Sequence, residues 1–138
     1  MSTTLTPEAI NVAVAEAFPG SASSCVELGD GWVTARITPD ASSLRPGGFI
    51  SGPTQFSLAD AALWFMVFNA IGRIELMSLT SELSIRYLRP AIGETLWAKA
   101  TLDSAGRRNV IGTVRLWVDD RDDKPTSVAQ GTYILPNN

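Results

Sequence analysis

Histidine is absent from all 138 residues of the chain. That gap removes Ser-His-Asp and Cys-His nucleophilic catalysis, imidazole proton shuttles and histidine-based zinc sites. Acid–base work near neutral pH then falls to a carboxylate or to an activated Lys, Tyr or Cys. Cysteine occurs once, at Cys25, which cannot close an internal disulfide and suits a reducing cytoplasm. Charged residues make up only 18% of the chain, with a net charge of −3, so a general nucleic-acid surface is not expected. No apolar run approaches the roughly 20 residues that span a bilayer. The longest, 59–71, is interrupted by Asp60 and Asn69. The stretch from Met1 to Glu8 lacks the basic region and apolar core of a signal peptide. There are no internal repeats and no low-complexity segment.

What the chain does have is apolar surface, at 45% hydrophobic residues and a slightly positive mean hydropathy. A small chain this apolar is expected to hide surface against copies of itself. Its length fits one domain spanning residues 1–138. The acidic run from Asp119 to Lys124 reads as a solvated hairpin tip.

Thr6-Pro7-Glu8 supplies a hydroxyl cap, a first-turn proline and an acid, predicting a short helix over about 7–18. Two strand-like runs follow, 24–28 and 32–38, joined by Gly29-Asp30-Gly31 as in a hairpin. Residues 39–52 read as loop. Pro53 is expected at the first position of a long helix over about 53–71, stopped by Gly72. Four strands are then predicted, at 79–88, 95–104, 109–119 and 126–135, as a meander with one face needing cover. The helix carries Phe56, Leu58, Ala59, Ala61, Ala62, Leu63, Phe65, Met66, Val67 and Phe68, so burial nearly all round is expected of it. An antiparallel sheet wrapped around a central apolar helix is the hotdog architecture, of the α+β class. Its edge strand is left open for sheet-to-sheet dimerisation.

Asp60 stands out within that helix as the only ionisable side chain between Arg45 and Arg73. An unpaired carboxylate in apolar surroundings costs several kcal/mol, and aspartate is a mediocre helix former. One reading is a carboxylate satisfied by a backbone amide or by an arginine such as Arg86. The other is a general base or nucleophile made reactive by partial desolvation. At the helix start, Gly52 keeps its N–H and permits close approach, which suits a developing oxyanion. Eight residues at 1.5 Å rise put Asp60 about 12 Å along the axis from Gly52. If both act on one substrate, they come from different subunits.

The run Gly47-Gly48-Phe49-Ile50-Ser51-Gly52-Pro53-Thr54-Gln55-Phe56-Ser57-Leu58-Ala59-Asp60-Ala61-Ala62 resembles the signature of phenylacetate-degradation (PaaI-type) thioesterases. There a His-Gly-Gly run precedes an acid within a Leu-Ala-Asp-x-Ala helix segment. Thr80 to Ala91 resembles the strand that follows, and Gly106-Arg107-Arg108 the family's basic turn. The resemblance spans about residues 22–135. It implies hydrolysis of an acyl-CoA thioester at a dimer interface, with Asp60 as the carboxylate that assists attack and the Gly52 amide polarising the carbonyl. It departs from the family at Ser51, which replaces the signature histidine, and at Pro53, which replaces the second glycine.

By the same resemblance Thr80 and Ser81 approach the site, as hydroxyls that orient water or as ordinary strand residues. Arg89, Arg107 and Arg108 are candidates for the phosphates of coenzyme A, with surface solvation as the alternative. Trp64 is read as pocket wall or core, and Phe65 and Phe68 share the apolar wall. No metal or redox cofactor is implied, coenzyme A being part of the substrate. A homodimer, paired into a homotetramer, is expected. The alternative function is a non-catalytic acyl-CoA or fatty-acyl binding protein on the same fold.

Overall fold

The computed structural model describes residues 5–137; Met1–Thr4, the head of the stretch read as lacking a signal peptide, and Asn138 lie outside the described residues. The elements in chain order are α1 (Pro7–Ala17), β1 (Ser24–Gly29), β2 (Trp32–Ile37), a 3-10 turn (Ala41–Ser43), β3 (Leu44–Arg45), β4 (Phe49–Ile50), α2 (Gly52–Ile71), β5 (Leu79–Tyr87), β6 (Leu96–Ala105), β7 (Asn109–Val118) and β8 (Ser127–Ile134). The expected helices and long strands all form. Within the expected loop 39–52, β3 and β4 make a two-residue antiparallel ladder. Its turn uses Gly47 and Gly48 at φ of 93° and 81°, backbone that side chains disfavour. The Asp-rich tip at 119–124 is exposed throughout.

Six strands form one antiparallel sheet in the order β1-β2-β6-β7-β8-β5, with α2 packed across it. The four late strands are therefore not a sequential meander: β5 pairs with β8, and the chain crosses the sheet before β6 joins β2. Alternating burial tells which face of a strand meets the helix, but it does not name the neighbouring strand. That is why the crossover escaped the strand pattern. Both β1 and β5 are left as open edges.

Helix α2 runs 20 residues between two caps. Ser51 Oγ accepts from the Thr54 N–H at 3.2 Å, and Gly72 closes the helix in the left-handed conformation at φ 76°. The first helical position is Gly52, with Pro53 second, which corrects the expectation of Pro53 at the start. Gly52 thereby holds one of the unpaired amides that open every helix.

All-round burial of α2 is also corrected. Leu58, Ala59, Ala62, Leu63, Phe65, Met66, Val67 and Phe68 are buried against the sheet, but Phe56 is 39% exposed. Pro53, Phe56, Ser57, Asp60, Ala61 and Trp64 fall at helical spacing and form a stripe that the sheet does not fully cover. Asp60 lies on this stripe, at the one face where a carboxylate can stay solvated.

Candidate active site

Two hydroxyls hold the Asp60 carboxylate. Thr80 Oγ1 donates to Oδ1 at 2.7 Å, and the Tyr133 hydroxyl donates to the same oxygen at 2.7 Å. The Tyr133 oxygen also lies 3.1 Å from the Asp60 carbonyl. Among the described residues no donor reaches Oδ2. Neither the backbone amide nor the Arg86 pairing considered from the sequence is formed; Arg86 stands exposed on β5. Tyr133 is only 4% exposed. Burial first, and then the charge of Asp60, push its hydroxyl pKa well above the usual tyrosine range, so it remains a donor.

The strand register explains how Thr80 comes to serve this carboxylate. Thr80 and Tyr133 are direct cross-strand partners, as are Glu82 and Thr132, leaving Ser81 as the extra residue of a β-bulge. Bulges re-aim the side chains beside them. Here the bulge turns Thr80 toward the helix, and Ser81, exposed, is not brought to Asp60.

Asp60, Thr80 and Tyr133 line a cleft of about 360 Å³ whose walls combine Val14, Phe18, Trp64, Phe65, Leu76 and Leu79 with the serines at 21, 23, 57 and 78. Trp64 is a wall residue. Its indole N–H donates to Ser78 Oγ at 2.9 Å, and its ring meets Phe18 edge-on at 5.6 Å. Phe68 is fully buried and supports Trp64 at 5.1 Å. No sequence pattern pointed to Val14 of α1 and its C-cap Phe18 as parts of this wall.

Gly52 opens a separate cleft of about 420 Å³ with Phe49, Gln55, Tyr87, Arg89 and Pro90. Its carbonyl accepts from the Tyr87 hydroxyl at 2.8 Å. As the first residue of α2 its N–H has no intrahelical acceptor, and none is found among the described residues. Arg89 thus lines the same cleft as Gly52. Ser51 and Pro53 line a third hollow, with Arg45, Thr54 and Ser57, and Ser57 is shared with the Asp60 cleft. Arg107 and Arg108 sit exposed in the β6–β7 turn, where the Arg108 carbonyl accepts from the Leu135 N–H. They line neither the Asp60 nor the Gly52 cleft.

Several polar residues of these clefts went unmarked in the sequence, Tyr133 and Gln55 among them. Gln55 is 4% exposed, and its Oε1 accepts from Thr126 Oγ1 at 3.0 Å and Ser127 Oγ at 2.9 Å. Gln55 carried the same signal as Asp60, a polar side chain inside an apolar helix. Tyr133 offered only a phenol in a strand that mixes polar and apolar residues.

A family model describing the thioesterase superfamily matches residues 47–124, more than half of the chain. The chain belongs to the thioesterase superfamily. The match contains α2 with Gly52 and Asp60, and β5 with Thr80. A candidate thioesterase from Silicibacter sp. TM1040 superposes on this thioesterase with a TM-score of 0.86 at 28% identity, covering 99% of this chain and 96% of that one. A thioesterase from Haemophilus influenzae gives 0.84 at 19% identity, covering 99% and 94%. PaaI of the phenylacetic acid degradation operon of E. coli gives 0.72 at 22%, covering 91% and 86%. The last two share the hotdog fold, which agrees with the PaaI-type resemblance of residues 47–62. Among curated proteins none gives a significant match. Family and fold make this protein a thioester hydrolase.

Proposed function

We propose that this thioesterase hydrolyses acyl-CoA thioesters, with Asp60 as general base or nucleophile and the Gly52 N–H of a neighbouring subunit polarising the carbonyl. The observation that carries this reading is the Asp60 carboxylate itself, held through one oxygen and free at the other, in a cleft with large apolar side chains along its walls. In the water route, Oδ2 takes a proton from water as the water oxygen bonds the acyl carbon. The carbonyl re-forms, the C–S bond breaks, and the thiolate leaves with that proton. In the anhydride route Oδ2 bonds the acyl carbon as the C–S bond breaks, the thiolate is protonated by water, and a second water cleaves the anhydride. Both routes develop negative charge on the carbonyl oxygen, where an unpaired helix-start amide is worth most. No metal or redox cofactor enters either route.

The two groups stand about 12 Å apart along one helix and open into different clefts, which favours assembly of each site from two chains. The β5 edge favours the same arrangement: Leu79, Tyr87 and Leu88 are at least 48% exposed along it, as an unpaired strand awaiting a partner. Arg89, which lines the Gly52 cleft, is the candidate for a phosphate of coenzyme A; Arg107 and Arg108 would take part only from another subunit. Pairing of dimers into a tetramer and a cytoplasmic location, where Cys25 stays reduced, complete the reading.

Turnover of an acyl-CoA panel, followed by thiol release, tests it. Asp60→Asn should lower kcat about 10²- to 10⁴-fold. Gly52→Pro, which deletes the amide and needs Tyr87, whose hydroxyl would lie 3.1 Å from the added Cβ, to give way, should lower it about 10²- to 10³-fold. Mixed and re-annealed, the two inactive variants should recover about a quarter of wild-type activity. Half the dimers are then hybrids, and each hybrid holds one intact site. No recovery despite subunit exchange would remove the two-chain site, and undiminished hydrolysis by Asp60→Asn would remove the catalytic assignment.

A further inference from the structure

We infer that Tyr133 is a positioning residue that, together with Thr80, selects Oδ2 as the working oxygen of Asp60. The inference rests on the proposed role of Asp60 and adds a group from the far end of the chain, 73 residues away. A carboxylate oxygen offers two lone-pair directions. Thr80 and Tyr133 occupy both on Oδ1, each at 2.7 Å. Oδ2, with no donor among the described residues, is left to receive a proton from water or to attack an acyl carbon.

The two donors are not equivalent. Thr80 is exposed at the start of the edge strand β5, whereas Tyr133 is 4% exposed in β8, flanked by β7 and β5. A buried phenol with one rotatable hydrogen has little freedom except to serve the acceptor in front of it. Besides Asp60, the polar groups facing this hydroxyl are the Asp60 carbonyl and the Thr80 hydroxyl. Its bond to Oδ1 fixes the side-chain torsions of Asp60, as a supporting hydrogen bond fixes any catalytic group whose reach must be right within about 1 Å. Tyr133 does not line up to donate to the thioester, because its proton is already committed to Oδ1. It therefore acts through Asp60.

Tyr133→Phe tests this, since it removes one oxygen and keeps the ring that packs among β5, β7 and β8. The expected result is a fall in kcat of about 10- to 100-fold, the scale of a misplaced reacting group, with KM within about twofold of wild type. Affinity for a non-hydrolysable acyl-CoA thioether, measured by calorimetry, should also stay within about twofold. Thr80→Val should lower kcat in the same direction, and the double variant should lose less than the product of the two single losses, because both act on one oxygen. An unchanged kcat in Tyr133→Phe, or a fall matched by equal loss of thioether affinity, overturns the inference. If Asp60→Asn is inactive while Tyr133→Phe turns over normally, only this inference fails. If Asp60→Asn turns over normally, the Asp60 assignment fails first and this inference falls with it.

Discussion

Replacing Gln55 by leucine should destabilise the protein more than its modest change in size suggests. Gln55 Oε1 is the shared acceptor of two buried hydroxyls, Thr126 at 4% and Ser127 at 0% exposure. Leucine fits the space but accepts nothing, so both hydroxyls are stranded away from water. Each stranded donor costs about 1–3 kcal/mol, and added apolar burial returns part of it. A net loss of about 2–4 kcal/mol is expected, against a total of about 5–15 for a domain. For a chain of this length that lowers Tm by about 10 °C. Urea unfolding followed by circular dichroism, at one fixed protein concentration, measures it. The asymmetry between stranding a group and deleting it supplies the control. Adding Thr126→Val and Ser127→Ala to the Gln55→Leu variant should recover at least about half of the loss. A single variant within about 0.5 kcal/mol of wild type, well below the cost of one stranded donor, would refute the reasoning. So would a triple variant less stable than the single one.

Three further outcomes follow from the same packing. Gly131→Ala should cost about 1–3 kcal/mol, because its Cβ would lie 2.8 Å from the Glu82 carbonyl, which is backbone; Gly112→Ala, which meets only the ends of Leu63 and Met66 at 2.9 Å, should cost less in the same unfolding assay. Burial, then the nearby charge of Glu8, pushes the Cys25 thiol up from 9.0 to about 12. The folded state therefore holds that proton more tightly than the unfolded chain, and its contribution is complete below about pH 9 and lost as pH rises through about 12. The stability gap between wild type and Cys25→Ala should narrow over that window, and Cys25 should resist thiol reagents near about pH 8 until the protein unfolds. Trp64→Ala should enlarge the apolar wall and raise kcat/KM for bulky acyl groups relative to short ones by about tenfold. An unchanged acyl preference would take Trp64 out of the wall.

The sequence was most readable where one local rule decides the outcome. Proline, glycine and hydroxyl positions bounded α1 and α2 to within a residue or two, and strand-like runs between turn residues located all six long strands. Asp60 was legible because a lone charge in an apolar helix violates burial energetics whatever its neighbours are. Its neighbours were not legible from local pattern: the family resemblance alone pointed to Thr80, and nothing pointed to Tyr133. Thr80 and Tyr133 reach it from 20 and 73 residues away, through a crossover and a bulge that no short-range pattern encodes. The same holds for Gln55, whose partners lie 71 and 72 residues on. Phe56 shows the opposite error. Apolar character alone placed it in the core, although its position on the 53–56–57–60 stripe turns it outward.

The bulge at Ser81 has one more consequence. Were the extra residue ironed out and the edge strand slid by one, Ser81 would take the place opposite Tyr133 that Thr80 now holds. Both side chains end in a hydroxyl at the same number of bonds from the backbone. The edge strand therefore carries a spare, and a slip that would reverse the face of every other residue it moved would still present an alcohol to Asp60.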